Sequence, residues 1–506
     1  MVSNLTSQTI HGIKWSYASI ITNAFVQIIY TAIMARLLDP VSFGLIAMSS
    51  VILRFGSYFS QMGMGPALIQ KKTLTDSDVR SGFTSSILIS LLFLCLVYFL
   101  APYTLLIFDN PELIPIIRVM AISLVFTGLS TTSLAIIRRN FNFKSLAVIE
   151  IISYIFSYGA IGIISALLGF GVWSLVFASL SQALISAILS YLVVKHSLSF
   201  LFSWKSYKPL FSFGSKISGI TFFQFIGANL DTLLIGKFSG ASSLGIYNRT
   251  SLLINLPGQY LFASLSRVLF PAFSQIQTDN KKLTSAYLYS LTFFSIILIP
   301  VTIGVIPMAQ NIITFYLGSK WIEAVPVFQI LLVSIIFSSV INISGSILQA
   351  VGKLKKMFHI EILHIAVLIV SIISLAGYGL IGFAIAVTIS RFIRFIFYLV
   401  VVNNHLGLSY SKVVKLFFIN TAAGLAIFSG ISIVTLFLSQ ASIFLTILIQ
   451  LMAFLILYSV FFKTVAIKYF NEELSFFLNK LTDMFGKKAL TNRILLFLNK
   501  KVLLAK

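Results

Sequence analysis

Acidic residues are scarce. The 506-residue chain has 13 Asp and Glu against 36 Lys and Arg, a formal net charge of +23. Charged residues of both signs make up only 10% of it, where soluble domains carry about 25%. There is one cysteine, Cys95, in an apolar run, which excludes an intrachain disulfide. Alternating strand patterns are absent, which leaves helices as the way to satisfy the backbone in lipid. No G-x-x-x-x-G-K-[ST] loop is present, so the chain does not hydrolyse nucleotide itself. His359 and His364 are five residues apart and do not share a helix face well, which argues against a metal site. Asp76-Ser77-Asp78 has the form of a D-x-D metal motif, but its loop is too short for a catalytic domain, so it reads as solvated loop. These absences point away from an enzyme and call for no cofactor.

What is present is apolar. Hydrophobic residues are 58% of the chain and the mean hydropathy is +1.01. About 20 apolar residues cross a bilayer core. That rule predicts an all-α membrane protein of about fourteen transmembrane helices, near 13–36, 43–67, 82–103, 112–136, 146–168, 171–194, 210–236, 243–270, 284–306, 326–349, 358–377, 380–402, 413–437 and 441–462. Asp39-Pro40, Asp109-Asn110-Pro111, Gly169-Phe170-Gly171 and Gly377-Tyr378-Gly379 punctuate them. The opening stretch runs into a span too long for a cleavable signal peptide. Alternate loops are rich in cations, among them Lys71, Lys72, Arg138, Arg139, Lys208, Lys281, Lys355 and Lys356. The positive-inside rule then places both termini in the cytoplasm. The basic balance is therefore topological, and no basic domain outside the membrane offers itself to nucleic acid. Trp15, Trp173, Trp204 and Trp321 fall near span ends, as an aromatic belt requires.

The halves resemble each other. Ser42-Phe43-Gly44-Leu45 aligns with Ser243-Leu244-Gly245-Ile246, and Gly169-Phe170-Gly171 with Gly377-Tyr378-Gly379. The approach to Glu150 aligns with the approach to Glu361. Six spans per unit is an even number, so the copies are parallel repeats. The expected domains are a six-helix bundle over 1–209, a second over 210–410, two additional helices over 411–463, and a tail over 464–506. The tail's basic amphipathic pattern suits either the inner leaflet or a partner protein.

Charges inside spans are the candidate site, since each costs about 3 kcal/mol or more in hydrocarbon. Arg54 lies roughly 16 Å into the second span. Arg391 is similarly deep in the twelfth, and Arg394 shares its face. Arg118 sits a turn or two inside the fourth. Asp231 and Arg249 flank the break at Gly236–Gly240, equally far from it, and could pair. Lys216, Arg267 and Arg394 lie where snorkelling to inner headgroups also accounts for them. Glu150 and Glu361 are shallow enough to pair with loop lysines. A cavity dominated by arginine suits phosphate or carboxylate. Asp231 is read either as a gate residue or as the site of a coupling cation, Na+ or H+.

Ala35-Arg36-Leu37-Leu38-Asp39-Pro40-Val41-Ser42-Phe43-Gly44, then Arg54-Phe55, resembles the start of the Wzx-type flippases. With Asn229-Leu230-Asp231 and Gly245-Ile246-Tyr247 at the midpoint, it is similar to the polysaccharide-transporter branch of the multidrug/oligosaccharidyl-lipid/polysaccharide exporters. The colanic-acid and teichuronic-acid exporters are the nearest group. The resemblance covers Thr9 to Lys463. It implies a bacterial inner-membrane protein that moves undecaprenyl-pyrophosphate-linked oligosaccharides by alternating access, beside a polymerase and other glycan-assembly proteins. The related lipid II flippases carry cavity arginines on their first, second and eighth spans. Arg54 and Arg249 match two of these, and the first span here has only Lys14 and Arg36 at its ends. A cation-coupled small-molecule antiporter and a non-transporting subunit of the glycan pathway are the rival readings.

Overall fold

Apolar runs separated by turn signals become helices in the computed structural model, which describes residues 2–61, 63–438, 441–471 and 474. The chain divides into two compact units, Met1–Arg249 and Thr250–Lys506. The first unit holds α1 (Val2–Leu37), α2 (Pro40–Gln61), α3 (Met64–Gln70), α4 (Asp76–Leu100), α5 (Leu105–Phe108), α6 (Leu113–Met120), α7 (Ile122–Arg139), α8 (Phe143–Tyr154), α9 (Ile163–Leu167) and α10 (Val172–Val194). A long helical stretch, α11 (Trp204–Gln275), interrupted at Gly240, follows. The second unit continues with α12 (Asn280–Val305), α13 (Ala309–Tyr316), α14 (Ala324–Ala350), α15 (Leu354–Leu375), α16 (Gly379–Leu406), α17 (Tyr410–Phe437), α18 (Ile443–Phe461) and the short α19 (Ile467–Tyr469).

Eleven stretches among the described residues are long and apolar enough to cross a membrane. One of them, Leu354–Leu406, contains both α15 and α16. The all-helical membrane fold is as expected, while the count of fourteen spans is not reached by this measure. The stretch α11 is two helices that meet at Gly240, where the backbone is not helical: φ is 75° and ψ is −174°. Side chains rarely adopt that φ, so glycine is what lets the chain turn here.

Residues matched between the halves behave alike. Gly171, just before α10, and Gly379, the first residue of α16, have the same rare backbone, φ/ψ of 54°/−130° and 61°/−144°. A Cβ on Gly44 would collide with the carbonyl oxygen of Ala241, and one on Gly245 with that of Pro40. Gly44 pairs with Gly245, and Pro40 with Ala241, under one and the same sequence offset. Helix α2 and the second limb of α11 thus touch backbone to backbone through two contacts that the repeat exchanges.

Two expectations need correction. Asp76-Ser77-Asp78 is not a solvated loop but the first turn of α4. Thr75 Oγ1 accepts from the Asp78 amide, Asp78 accepts from the Thr75 amide, and Lys71 pairs with Asp78 at 2.5 Å. This reciprocal cap satisfies two helix-end donors, which explains Asp78 without a metal, while the exposed Asp76 lies beside Arg80. Trp321 is not at an interface: a 3-10 turn after Gly318 folds it inward, and it is fully buried. The two additional helices pack into the second unit's core. Gly304 of α12 lets Ile427 and Phe454 approach, Gly424 of α17 lets Ile303 approach, and buried Gln450 links Asn311 to Thr435. The second unit's core also takes in Phe470 and Leu474, so the start of the tail packs on this unit. Residues 475–506 and the side chains of Lys216 and Arg267 lie outside the described residues.

Candidate functional site

Polar side chains recur on the first unit's helices at the spacing of one helix face. On α2 they are Ser50, Arg54 and Ser57; on α7 Ser123, Thr127 and Ser130; on α10 Ser179, Gln182 and Ser186. With Asn23 of α1 and Glu150, Ser153 and Tyr154 of α8, these stripes enclose a cavity of about 580 Å³. The volume lies within the range of about 300–1,000 Å³ typical of ligand sites. Arg54 and Glu150 are its charged residues. Glu150 Oε2 accepts from Ser19 Oγ at 2.7 Å, and Asn23 Nδ2 donates to the same hydroxyl at 3.2 Å. The Arg54 side chain is exposed and reaches the cavity. Such a wall can offer one guanidinium to an anion and many hydroxyls and amides to a hydroxylated ligand.

Of the other expected residues in this unit, Arg118 lies with its guanidinium 4.7 Å from the Tyr98 ring centroid and donates Nε–H to the Tyr98 carbonyl. Arg249 lies 4.8 Å from the Phe43 ring centroid and donates to Asn248 Oδ1 at 2.7 Å. Asp231 accepts from the Tyr247 hydroxyl at 2.7 Å, so its cross-helix partner is two residues before Arg249. The Thr232 amide donates to its other oxygen at 2.7 Å. Glu150 is closer to the site than its shallow position suggested: it lines the cavity rather than only balancing loop lysines.

Arg391 and Arg394 belong to the second unit. Arg391 donates to Ser334 Oγ at 2.7 Å, which ties α16 to α14. Arg394 pairs with Glu361 at 2.5 Å, and Tyr398 donates to the same carboxylate oxygen at 2.8 Å. Arg394 Nε is buried without a hydrogen-bond partner. An anion that takes Arg394 must compete with Glu361. Glu361→Gln is therefore expected to tighten binding of an anionic cargo and to slow its release. A binding assay beside a transport assay checks this, and unchanged affinity counts against any cargo role for Arg394.

The residues missed from sequence were neutral ones. Ser50-x-x-x-Arg54-x-x-Ser57, Ser123-x-x-x-Thr127-x-x-Ser130 and Ser179-x-x-Gln182-x-x-x-Ser186 are polar stripes at helical spacing within apolar runs. Scanning spans for polar periodicity, as well as for charge, reveals them.

The family described as "polysaccharide biosynthesis protein" matches residues 33–326, more than half of the chain. The chain belongs to that family. Among curated members of this kind, it is 26% identical over 413 residues to the lipopolysaccharide biosynthesis protein WzxC of Escherichia coli (strain K12), covering 81% of this chain and 84% of WzxC. It is also 26% identical over 361 residues to the teichuronic acid biosynthesis protein TuaB of Bacillus subtilis (strain 168), covering 70% of this chain and 74% of TuaB. Among solved structures, this polysaccharide biosynthesis family member superposes on the lipid II flippase MurJ in its inward closed conformation with a TM-score of 0.68. That match has 17% identity and covers 90% of this chain and all of MurJ. A multidrug resistance MATE family transporter of the MOP superfamily, in its inward-facing conformation, matches at a TM-score of 0.59 and 14% identity, over 76% of this chain and 94% of its own. The polysaccharide biosynthesis family member therefore shares the fold of these two structures.

Proposed function

We propose that the protein is a flippase that carries lipid-linked oligosaccharide repeat units across the bacterial inner membrane, for assembly of a surface or secreted polysaccharide. The observation that carries this is the cavity of the first unit: one guanidinium and one carboxylate among rows of hydroxyls and amides. Hydroxyls and amides match the hydroxyl-rich edges of sugars, and Arg54 matches a phosphate of the lipid carrier. The chain's relatives WzxC and TuaB are named for lipopolysaccharide and teichuronic acid biosynthesis, which supports the same reading.

The carrier in this reading is undecaprenyl pyrophosphate, its tail stays in the bilayer, and the partners are the polymerase and other glycan-assembly proteins. The lysine-rich loops support cytoplasmic termini, and a reporter fused after Lys208 that faces outward would overturn that orientation. Deleting the gene should make lipid-linked repeats accumulate on the cytoplasmic face, read by membrane-impermeant labelling of inverted vesicles. Normal delivery of repeats to the outer face in the deletion strain, or drug sensitivity as its sole defect, would sink the proposal.

A further inference from the structure

A backbone irregularity begins where the cavity wall ends on α8. Helix α8 ends at Tyr154, and the chain widens into an eight-residue π-helix, Ile155–Gly162, before α9. π-Turns are rare and are found often at functional sites. Here the widened turn accompanies a ring assembly. The Tyr154 and Tyr158 rings stack with centroids 4.6 Å apart and planes 26° from parallel. Tyr30 of α1 meets Tyr158 edge-on, at 4.9 Å and 74°. Tyr30 is buried, and Gly162 in the π-helix makes room for it: a Cβ there would lie 3.3 Å from the Tyr30 ring. Of the three rings, Tyr154 alone is in the cavity wall, on the same helix as Glu150 and Ser153 and in the same cavity as Arg54.

We infer that Tyr154 is a stacking platform for a sugar ring of the cargo, held in place from behind by Tyr158 and Tyr30. The inference rests on the lipid-linked oligosaccharide reading and adds to it a residue that recognises the sugar. One face of a pyranose is a patch of C–H groups with slight positive charge, which fits the negative face of an aromatic ring. The edges of the same sugar carry hydroxyls, and the cavity surrounds Tyr154 with Ser153, Gln182 and Asn23 to meet them. A site for pyrophosphate alone would have no use for an aromatic face. The backing rings matter because a platform must be rigid to be selective: with Tyr158 on one side and a glycine-seated Tyr30 behind that, the Tyr154 ring has little freedom to tilt.

The test uses the full-length protein in lipid nanodiscs and two ligands, undecaprenyl pyrophosphate and the same lipid linked to N-acetylglucosamine. Tyr154→Leu is expected to weaken the sugar-bearing ligand about three- to tenfold, the size of one aromatic stacking contact, and to leave the bare lipid unchanged. Tyr154→Phe keeps the ring and should bind both as the wild type does. Should the leucine variant not fold, Tyr154→Met fills the same space without a ring and takes its place. Equal weakening of both ligands, or no weakening of the sugar-bearing one, overturns the platform and leaves the flippase reading standing. Binding of neither ligand by the wild type sinks that reading and the platform with it.

Discussion

Arg54→Ala is expected to reduce glycan export about ten- to hundredfold with no loss of protein from the membrane. A charge-assisted hydrogen bond contributes about 1.5–3 kcal/mol, and each 1.4 kcal/mol or so is a factor of ten. Arg54 is the cation of the first unit's cavity, and its side chain is exposed, so removing it leaves no hole in the core. Its backbone carbonyl still accepts from Ser57, an interaction the substitution spares. Arg54→Lys should restore part of the activity, because an ammonium supplies the charge without the planar fork. Export is read as outer-face delivery of lipid-linked repeats, and protein level by immunoblot of membranes. Normal export by Arg54→Ala would remove the anion-binding role, and loss of the protein itself would recast Arg54 as structural.

The largest expected effect on stability comes from the glycines that join α2 to the second limb of α11. Even alanine is too large at Gly44, since the Cβ itself collides with the Ala241 carbonyl oxygen, and the same holds at Gly245 against Pro40. Overpacking against movable side chains costs about 1–3 kcal/mol. Both obstacles here are backbone atoms, which cannot rotate aside, so each alanine should cost about 3 kcal/mol or more. Gly377→Ala is the control, because nothing lies within 4 Å of a Cβ there. Thermal unfolding of purified protein should show a large drop for Gly44→Ala and Gly245→Ala and none for Gly377→Ala. Should Gly44→Ala melt with the wild type, the close approach is not what holds these helices together.

Much of this fold could be read from the chain alone, because lipid permits few solutions. An apolar run of span length bounded by Gly169-Phe170-Gly171 or Gly377-Tyr378-Gly379 has to be a helix that ends there. The break at Gly236–Gly240 was equally plain, and the turn falls on Gly240. What failed was inferring surroundings from depth. Asp76-Ser77-Asp78 read as solvated because its loop is too short for a catalytic domain, yet Asp78 caps a helix. Trp321 looked like a belt residue because it stood near a span end, yet a single tight turn buries it. Hydropathy along one dimension does not say which side of a helix a residue faces.

The site was legible in part, for a related reason. Formal charge drew attention to Arg54, which does line a cavity, and equally to Arg118, which lies over Tyr98. Nothing local separates the two, since each is one cation in an apolar run and the difference lies in the neighbouring helices. Ser50, Thr127 and Gln182 carry no charge, and each alone is unremarkable in a transmembrane helix. Their meaning comes from period and from the fact that several helices turn their stripes to one space.

The paired contact at Gly44 and Gly245 bears on ancestry. Each side of it uses the same short peptide, Ser-Phe-Gly-Leu on one and Ser-Leu-Gly-Ile on the other, and each glycine receives the other segment's carbonyl. A contact of that kind is self-complementary, as in a twofold dimer, where one patch serves both subunits. A half-length chain with a single copy of the peptide could therefore have closed on a second copy of itself. Fusion of two such chains would preserve the contact unchanged, and the two copies could then diverge everywhere except where backbone meets backbone.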